Sequence, residues 1–375
     1  MRVLIAGGGT GGHFYPALAM IDGLRARKSD VRVAYVGTRR GIEARILPSH
    51  AWVEFHPICA RGYAREGLVE RLRFFVSLFV GFVQTLVVFA RFRPQLVIGV
   101  GGYSSFLPVL LGALLGRFLS IRTAIHEQNA VAGMANRWLS RWVDVVMTSY
   151  PESKAAFRRA RRVVLTGNPV REEFLYASRS EESYAQFGLD PKRKTVLVFG
   201  GSNGSAELIE QVLMAKQELA GRDGVQVLLV TGEEGLARSV QEEFGASGVE
   251  NVSVRAYIDK MAAAFAVADL IVARAGATTL AEITTCGKAA VLVPWREAVD
   301  NHQWENARVL EREEACQLAD GRIMVEHGLV NLVLHLVEDE VALSRLAGNA
   351  RRLGQRTAGS LIQGEIETLL RGARA

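Results

Sequence analysis

The sequence is poor in cysteine. It has three in 375 residues, Cys59, Cys286 and Cys316, far apart and with no CxxC pair among them. That argues against a disulfide framework and against a cysteine-based zinc module, and it fits a reducing compartment. There is no HExxH, and no DxD stands at a strand end where a nucleotide-sugar enzyme would hold a metal. Proline is scarce as well, 9 residues against 37 glycines. With 49% hydrophobic and 22% charged residues, the chain is not disordered, collagen-like or of low complexity. The opening run Met1-Arg2-Val3-Leu4-Ile5-Ala6-Gly7 is too short for a secretory apolar region and reads as a first strand.

Charge is unevenly spread. Residues 1–170 carry 23 basic and 9 acidic side chains, a net of +14, while residues 171–375 carry 22 and 30, a net of −8. Opposite signs in the two halves point to different partners. The basic half favours an anionic surface or substrate, whether phosphate, lipid headgroup or nucleic acid.

Apolar runs of strand length alternate with helical patterns. They are Arg2–Ala6, Val31–Val36, Trp52–Phe55, Gln95–Val100, Thr123–His126, Val143–Thr148 and Val163–Leu165, then Thr195–Phe199, Val225–Val230, Val252–Ala256, Leu270–Ala273 and Ala289–Val293. Many are continuous and β-branched, as in parallel strands buried on both faces, and the alternation with helices gives an α/β class. The opening Val3-Leu4-Ile5-Ala6-Gly7-Gly8-Gly9 is echoed by Val196-Leu197-Val198-Phe199-Gly200-Gly201-Ser202. Two doubly wound domains follow, residues 1–167 and 168–340, divided at the turn Gly167-Asn168-Pro169. Residues 341–375 read as helices that cross back to the first domain.

The first chemical motif is Gly7-Gly8-Gly9-Thr10-Gly11-Gly12-His13. Glycines after a strand let backbone N–H groups and a helix N-terminus approach an anion. Gly7, Gly9 and Gly12 match GxGxxG, but the second strand ends Val36-Gly37-Thr38-Arg39-Arg40 with no carboxylate for a ribose. The arginines would suit a 2′-phosphate. No Lys-Ser/Thr follows the last glycine, so this is not a Walker loop. At the helix start the dipole favours neutral His13, which makes it a candidate general base or simply a polar helix-start residue.

Gly99-Val100-Gly101-Gly102-Tyr103 is a second glycine turn, and His126-Glu127-Gln128-Asn129 closes another strand with four polar side chains. In an open α/β sheet, ligands bind at the carboxyl ends of strands. The second half offers Arg274-Ala275-Gly276-Ala277-Thr278-Thr279-Leu280-Ala281-Glu282, where a helix N-terminus suits a phosphate and a carboxylate suits ribose hydroxyls. Asp300-Asn301-His302-Gln303-Trp304-Glu305-Asn306 starts another helix with amides suited to sugar hydroxyls. Phe74–Ala90 is 17 residues without a charge, flanked by Arg71, Arg73, Arg91 and Arg93. It sits at the lower limit of a membrane span. Its place before a strand favours a helix docked on the sheet, its spare apolar face dipping into lipid.

Gly8-Gly9-Thr10-Gly11-Gly12-His13-x-x-Pro16, Gly101-Gly102-Tyr103, His126-Glu127-Gln128-Asn129, Gly167-Asn168-Pro169-Val170-Arg171, Gly200-Gly201-Ser202, Arg274-x-Gly276-Ala277 through Glu282, and His302-Gln303-x-x-Asn306-Ala307 occur in that order over nearly the whole chain. This set closely resembles the MurG family, the N-acetylglucosaminyltransferases of peptidoglycan synthesis. The resemblance implies a GT-B fold, two Rossmann-like domains facing a cleft. It implies inverting transfer from UDP-N-acetylglucosamine (UDP-GlcNAc) to the C4 hydroxyl of the muramyl sugar of lipid I, giving lipid II, with no cofactor and no metal. The partners implied are UDP-GlcNAc, lipid I and an anionic membrane surface, with no nucleic acid. The place implied is the cytoplasmic face of the bacterial inner membrane, bound peripherally.

Carried over by position, Ile258 would meet uracil through its backbone and Glu282 the ribose. Ser202 and the Ala277 turn would meet the diphosphate, with Arg274, Thr278, Thr279, Leu280 and Ala281 in the same stretch. Asn129 and Gln303 would hold the sugar, and Arg171 would join the donor site. Gly9, Thr10 and Gly11 would line the donor–acceptor junction, with the acceptor's pyrophosphate at the Gly8–Gly12 turn. His13 and Tyr103 would lie on the acceptor side. His13 is the first candidate base, Glu127 the second. Two departures from the family pattern are Asn203, where Gln is usual, and Ala275, where Ser is common. Rival readings are another glycolipid transferase, a UDP-sugar epimerase, an NADP- or FAD-dependent oxidoreductase and a membrane scaffold that senses a nucleotide sugar.

Overall fold

The computed structural model describes residues 1–27, 30–62, 67–201, 204–296, 298, 301–320 and 328–372. The chain divides into two compact units, Met1–Arg171 with Thr357–Ala375, and Glu172–Arg356. In the first unit the strands are β1 (Arg2–Ala6), β2 (Arg32–Gly37), β3 (Val53–Pro57), β4 (Leu96–Gly99), β5 (Arg122–Glu127), β6 (Val145–Thr148) and β7 (Val163–Leu165). All pair in parallel, in the order β3-β2-β1-β4-β5-β6-β7. In the second unit β8 (Lys194–Phe199), β9 (Val225–Val230), β10 (Val252–Arg255), β11 (Leu270–Ala273), β12 (Ala289–Leu292) and β13 (Gln317–Leu318) run parallel in the order β10-β9-β8-β11-β12-β13.

The continuous apolar runs behave as expected of strands covered on both faces. β4, β6, β11 and β12 are buried along their whole length. On one face of the first sheet, Val3 and Ile5 pack with Phe14 and Ile21 of α1 (Gly11–Arg27) and with Ile362 and Ile366 of the helix Ala358–Gly372. Each such side chain, once buried, contributes about 1.5–3 kcal/mol. Gln363 Nε2 donates to the Met20 carbonyl at 2.9 Å, and a side chain on Gly23 would lie 2.6 Å from that nitrogen. The helix Ala358–Gly372 thus belongs to the first unit, while the helix Glu340–Leu353 packs on the helix Ala277–Cys286 and β12 in the second.

On the other face of the first sheet, Leu4, Val36, Val97 and Ile125 meet Val109 of α4 (Tyr103–Leu119) and Val88, Phe89 and Phe92 of α3 (Leu68–Phe92). Only the C-terminal part of α3 joins this core. Leu72, Phe75, Val76 and Phe79 face outward, Phe79 being 69% exposed. Among the described residues, Val69–Phe92 is the one helix long and apolar enough to cross a bilayer by length and composition.

Both sheets reverse their winding once. In the first unit the chain runs outward from β1 to β2 and β3, then crosses back to place β4 on the other side of β1. In the second it runs from β8 to β9 and β10, then places β11 on the other side of β8. Crevices form at such reversals, beyond the carboxyl ends of the central strands. The glycine turns read from the sequence stand at those two places.

Candidate functional site

The turns after β1 and β4 interlock. Gly8, Gly9, Gly101 and Gly102 have φ of 137°, 91°, 92° and 78°, conformations that L side chains rarely adopt. Space is missing as well. A Cβ on Gly102 would lie 2.5 Å from the Gly8 carbonyl oxygen, and one on Gly101 would lie 2.7 Å from His13 Nδ1. The His13 ring edge therefore lies against the second turn. Gly9 and Thr10 are exposed, Gly11 is buried, and Thr10 O accepts from the N–H groups of His13 and Phe14 as α1 begins.

Glu43 lies beneath the first turn, on the short helix α2 (Ile42–Ile46), and is fully buried. Its carboxylate accepts from Gly9 N at 3.1 and 3.3 Å, from Thr38 N at 2.7 Å and from Thr38 Oγ1 at 2.9 Å. Gly8, Gly37 and Gly41 leave room for it: a Cβ on any of them would lie within 2.8 Å of the carboxyl group. The sequence reading sought an acid at the end of β2 and found none. It missed this one, which reaches back from the following helix. The trio of glycines around it is the signal that was available.

This buried acid bears on one expectation. The acceptor's pyrophosphate was expected at the Gly8–Gly12 turn, and of that turn's N–H groups the one on Gly9 is taken by Glu43. The same geometry counts against a dinucleotide, because the Glu43 oxygens that would take a ribose already accept from Gly9 and Thr38.

At the end of β5 the polar tetrapeptide splits into two networks. His126, Glu127 and Gln128 are all buried. Glu127 Oε1 accepts from Asn129 N (3.0 Å) and Asn129 Nδ2 (3.2 Å), and its Oε2 accepts from Gly133 N (3.0 Å) and Asn136 Nδ2 (2.9 Å). Four donors on one carboxylate tie the 129–133 turn to the start of α5 (Met134–Leu139). His126 Nε2 lies 2.9 Å from the Gly167 carbonyl, and burial pushes its pKa down to about 4, against the raising effect of that hydrogen bond. Gln128 Nε2 lies 2.9 Å from the Val100 carbonyl and 3.0 Å from His126 Nδ1, while its Oε1 faces His13 Nδ1 at 3.4 Å.

Tyr103 stands exposed at the start of α4. A Cβ on Gly62 would lie 2.6 Å from its ring. The Arg171 guanidinium lies 4.6 Å over the Tyr15 ring, within the first unit. His13, Tyr103 and Asn129 thus belong to the strand ends around the first reversal.

In the second unit the reversal is bridged by a cation. Arg274, just after β11, donates to Ser205 Oγ at 2.8 Å, to Glu207 Oε2 at 2.6 Å and to the Val293 carbonyl at 3.1 Å. Ser205 also caps the helix Ala206–Met214 by accepting from Leu208 N. Gly201 and Gly204 have φ of 87° and 70°. The expected contact Ser202 lies outside the described residues, as does Asn203. Ala277 opens the helix Ala277–Cys286, in which Ala277, Thr278, Leu280 and Glu282 are buried and Thr279 and Ala281 half-buried. Ile258 is buried in the loop after β10, at the same end of the sheet. Gln303 Oε1 accepts from Trp295 N at 2.9 Å, and Asn306 Nδ2 donates to the Ala275 carbonyl at 3.3 Å. The second unit therefore gathers Ile258, Arg274, Glu282 and Gln303 around one end of its sheet. Among the described residues no group of three or more His, Cys, Asp or Glu is placed to hold a metal ion.

Residues 3–148 match the glycosyltransferase family 28 N-terminal domain, and residues 195–359 match the glycosyltransferase family 28 C-terminal domain. With two doubly wound parallel sheets, these define a glycosyltransferase of the GT-B fold. The chain is 41% identical over 360 residues to the UDP-N-acetylglucosamine–N-acetylmuramyl-(pentapeptide) pyrophosphoryl-undecaprenol N-acetylglucosamine transferase of Desulfitobacterium hafniense (strain Y51), covering 95% of each chain. To the protein of the same description from Syntrophotalea carbinolica it is 38% identical, over 100% of this chain and 98% of that one. The crystal structure of Acinetobacter baumannii MurG superposes with a TM-score of 0.73 at 28% identity, over 98% of this chain and 99% of that one. The chain belongs to the MurG family.

Proposed function

We propose that this chain transfers N-acetylglucosamine from UDP-GlcNAc to the C4 hydroxyl of the muramyl sugar of lipid I, giving lipid II with inversion at the anomeric carbon. The observation that carries the reading is kinship over nearly the whole chain, both units included. The hydroxyl oxygen forms the new bond to the anomeric carbon as the bond from that carbon to the diphosphate oxygen breaks. The hydroxyl proton passes to His13 and UDP departs with the bonding pair. The sugar passes through an oxocarbenium-like state, as in glycoside chemistry generally.

The second unit takes the donor. Arg274 and the N-terminus of the helix Ala277–Cys286 meet the charge that develops on the leaving diphosphate, which is where fixed donors act most strongly. Glu282 takes the ribose, Ile258 the uracil through its backbone, and Gln303 a sugar hydroxyl through its amide nitrogen. The first unit takes the acceptor, with His13 as base and Tyr103 beside it. Glu127 is better suited to holding the Asn129 turn than to taking a proton, because four donors already occupy its oxygens.

The outward face of α3 lies against lipid, so that the protein binds peripherally to the cytoplasmic leaflet. Its exposed Leu72, Phe75, Val76 and Phe79 support this, together with the net +14 of residues 1–170. A full span is disfavoured, because α3 runs within four residues into β4, which pairs on both sides in the sheet.

Purified protein in detergent should release UDP from UDP-GlcNAc only when a lipid I analogue is present, and EDTA should leave that release intact. Tight donor binding with no acceptor-dependent release would overturn the acceptor assignment.

A further inference from the structure

We propose that Gln128 and His126 are positioning residues that hold His13 with its proton on Nδ1, leaving the Nε2 lone pair as the atom that takes the acceptor's proton. The proposal rests on the reading of His13 as the base and adds the device that sets its tautomer. Which ring nitrogen of a neutral imidazole carries the proton is set by the hydrogen bond that the other makes.

The argument runs inward from two backbone carbonyls, which can only accept. Gly167 O lies 2.9 Å from His126 Nε2, so that nitrogen carries the hydrogen. His126 is fully buried and neutral, which leaves a lone pair on its Nδ1. One end of the Gln128 side chain then faces two acceptors, His126 Nδ1 at 3.0 Å and Val100 O at 2.9 Å. Only the NH2 group satisfies both, and it spends both hydrogens doing so. The usual ambiguity between the two ends of a glutamine amide is removed by its partners.

The other end of Gln128 is therefore the carbonyl oxygen, and it faces His13 Nδ1 at 3.4 Å. That oxygen can only accept, so Nδ1 carries the hydrogen. The opposite tautomer would set two lone pairs against each other. Gln128 and His126 are both buried, so the chain of bonds is shielded from exchange with water. When Nε2 takes a proton, Nδ1–H keeps its partner, and nothing in the chain has to reorient during the step. Gly101 completes the arrangement, since its missing side chain is what lets the Nδ1 edge of the ring lie there.

The direct test reads the tautomer, whatever the reaction. Nitrogen-15 NMR of the histidine side chains in the full-length protein, with His13 assigned by its loss in His13→Gln, should give Nδ1–H for neutral His13. In Gln128→Leu the His13 signal should move to Nε2–H. The same variant should lose at least about tenfold in kcat, with the KM for UDP-GlcNAc little changed, as when an orienting partner of a catalytic histidine is lost. Nε2–H in the native protein overturns the proposal, and that measurement needs no variant of Gln128 to fold. An unchanged tautomer in folded Gln128→Leu overturns it too. If the tautomer shifts as expected while both His13→Gln and Gln128→Leu turn over normally, the positioning chain stands and the base assignment falls.

Discussion

The strands β1 and β8 end alike, each in a glycine turn that leads into a helix at the point where its sheet reverses, and the two turns meet opposite charges. In the first unit the Gly9 amide points at the buried carboxylate of Glu43. In the second the turn is tied to the guanidinium of Arg274 through Ser205 and Glu207. The same local motif thus serves two ends. Beside a buried acid it holds the start of α1, where His13 stands, and beside an arginine it is the place proposed above for the donor's diphosphate.

The largest effect expected from breaking this division is on the first turn. His13→Ala should lower kcat by about a hundredfold or more, in line with the loss of a general base, while UDP-GlcNAc still binds. Acceptor-dependent UDP release under saturating donor measures it, and near-normal turnover would remove His13 from the chemistry.

The buried network beside His13 should show in stability against pH. In the folded protein His126 stays neutral down to about pH 4, whereas its ordinary value in an unfolded chain is 6.5. The unfolded chain therefore binds the proton first, and stability should fall as pH drops from 6.5 toward 4, by about 3 kcal/mol in all. Urea unfolding over that range, compared with His126→Gln, isolates the contribution. The variant should lose that part of the slope, and an identical slope would contradict the assignment.

Glu43→Gln should destabilise the fold by about 1–3 kcal/mol, because its new NH2 group would face the donating N–H of Gly9. Urea midpoints check this, and an unchanged midpoint would mean that the first turn does not depend on the acid beneath it. The smallest effect should come from the lipid-facing side. Phe79→Asp should weaken sedimentation with anionic vesicles by about tenfold, the scale of one large apolar side chain withdrawn from lipid, with donor binding unaffected. Equal vesicle binding would place the membrane contact elsewhere.

Much of this was legible in the sequence. The parallel sheets follow from continuous apolar runs, and among the described strands only the two-residue β13 escaped, being too short to carry any pattern. The glycine turns and the polar end of β5 were found where they are, since chain order fixes which strand each follows. Glu43 was not found, because its role depends on a fold back beneath another turn across Gly8, Gly37 and Gly41. Glu127 drew attention as a carboxylate in a polar run, but only the positions of Asn129, Gly133 and Asn136 reveal that its oxygens are filled. Gln128, passed over between Glu127 and Asn129, joins the end of β4, β5 and α1. The uncharged stretch of α3 was visible, but which of its sides faces outward depends on packing against β4 and α4.

The central claim is that the nucleotide sugar belongs to the second turn and the proton transfer to the first. Calorimetric titration of UDP-GlcNAc into the native protein, Arg274→Ala and His13→Ala tests it directly. Donor affinity should fall by about tenfold or more in Arg274→Ala, as for loss of a charge-assisted contact, and should be retained in His13→Ala. Undiminished binding in Arg274→Ala with binding lost in His13→Ala would reverse the division and contradict the account.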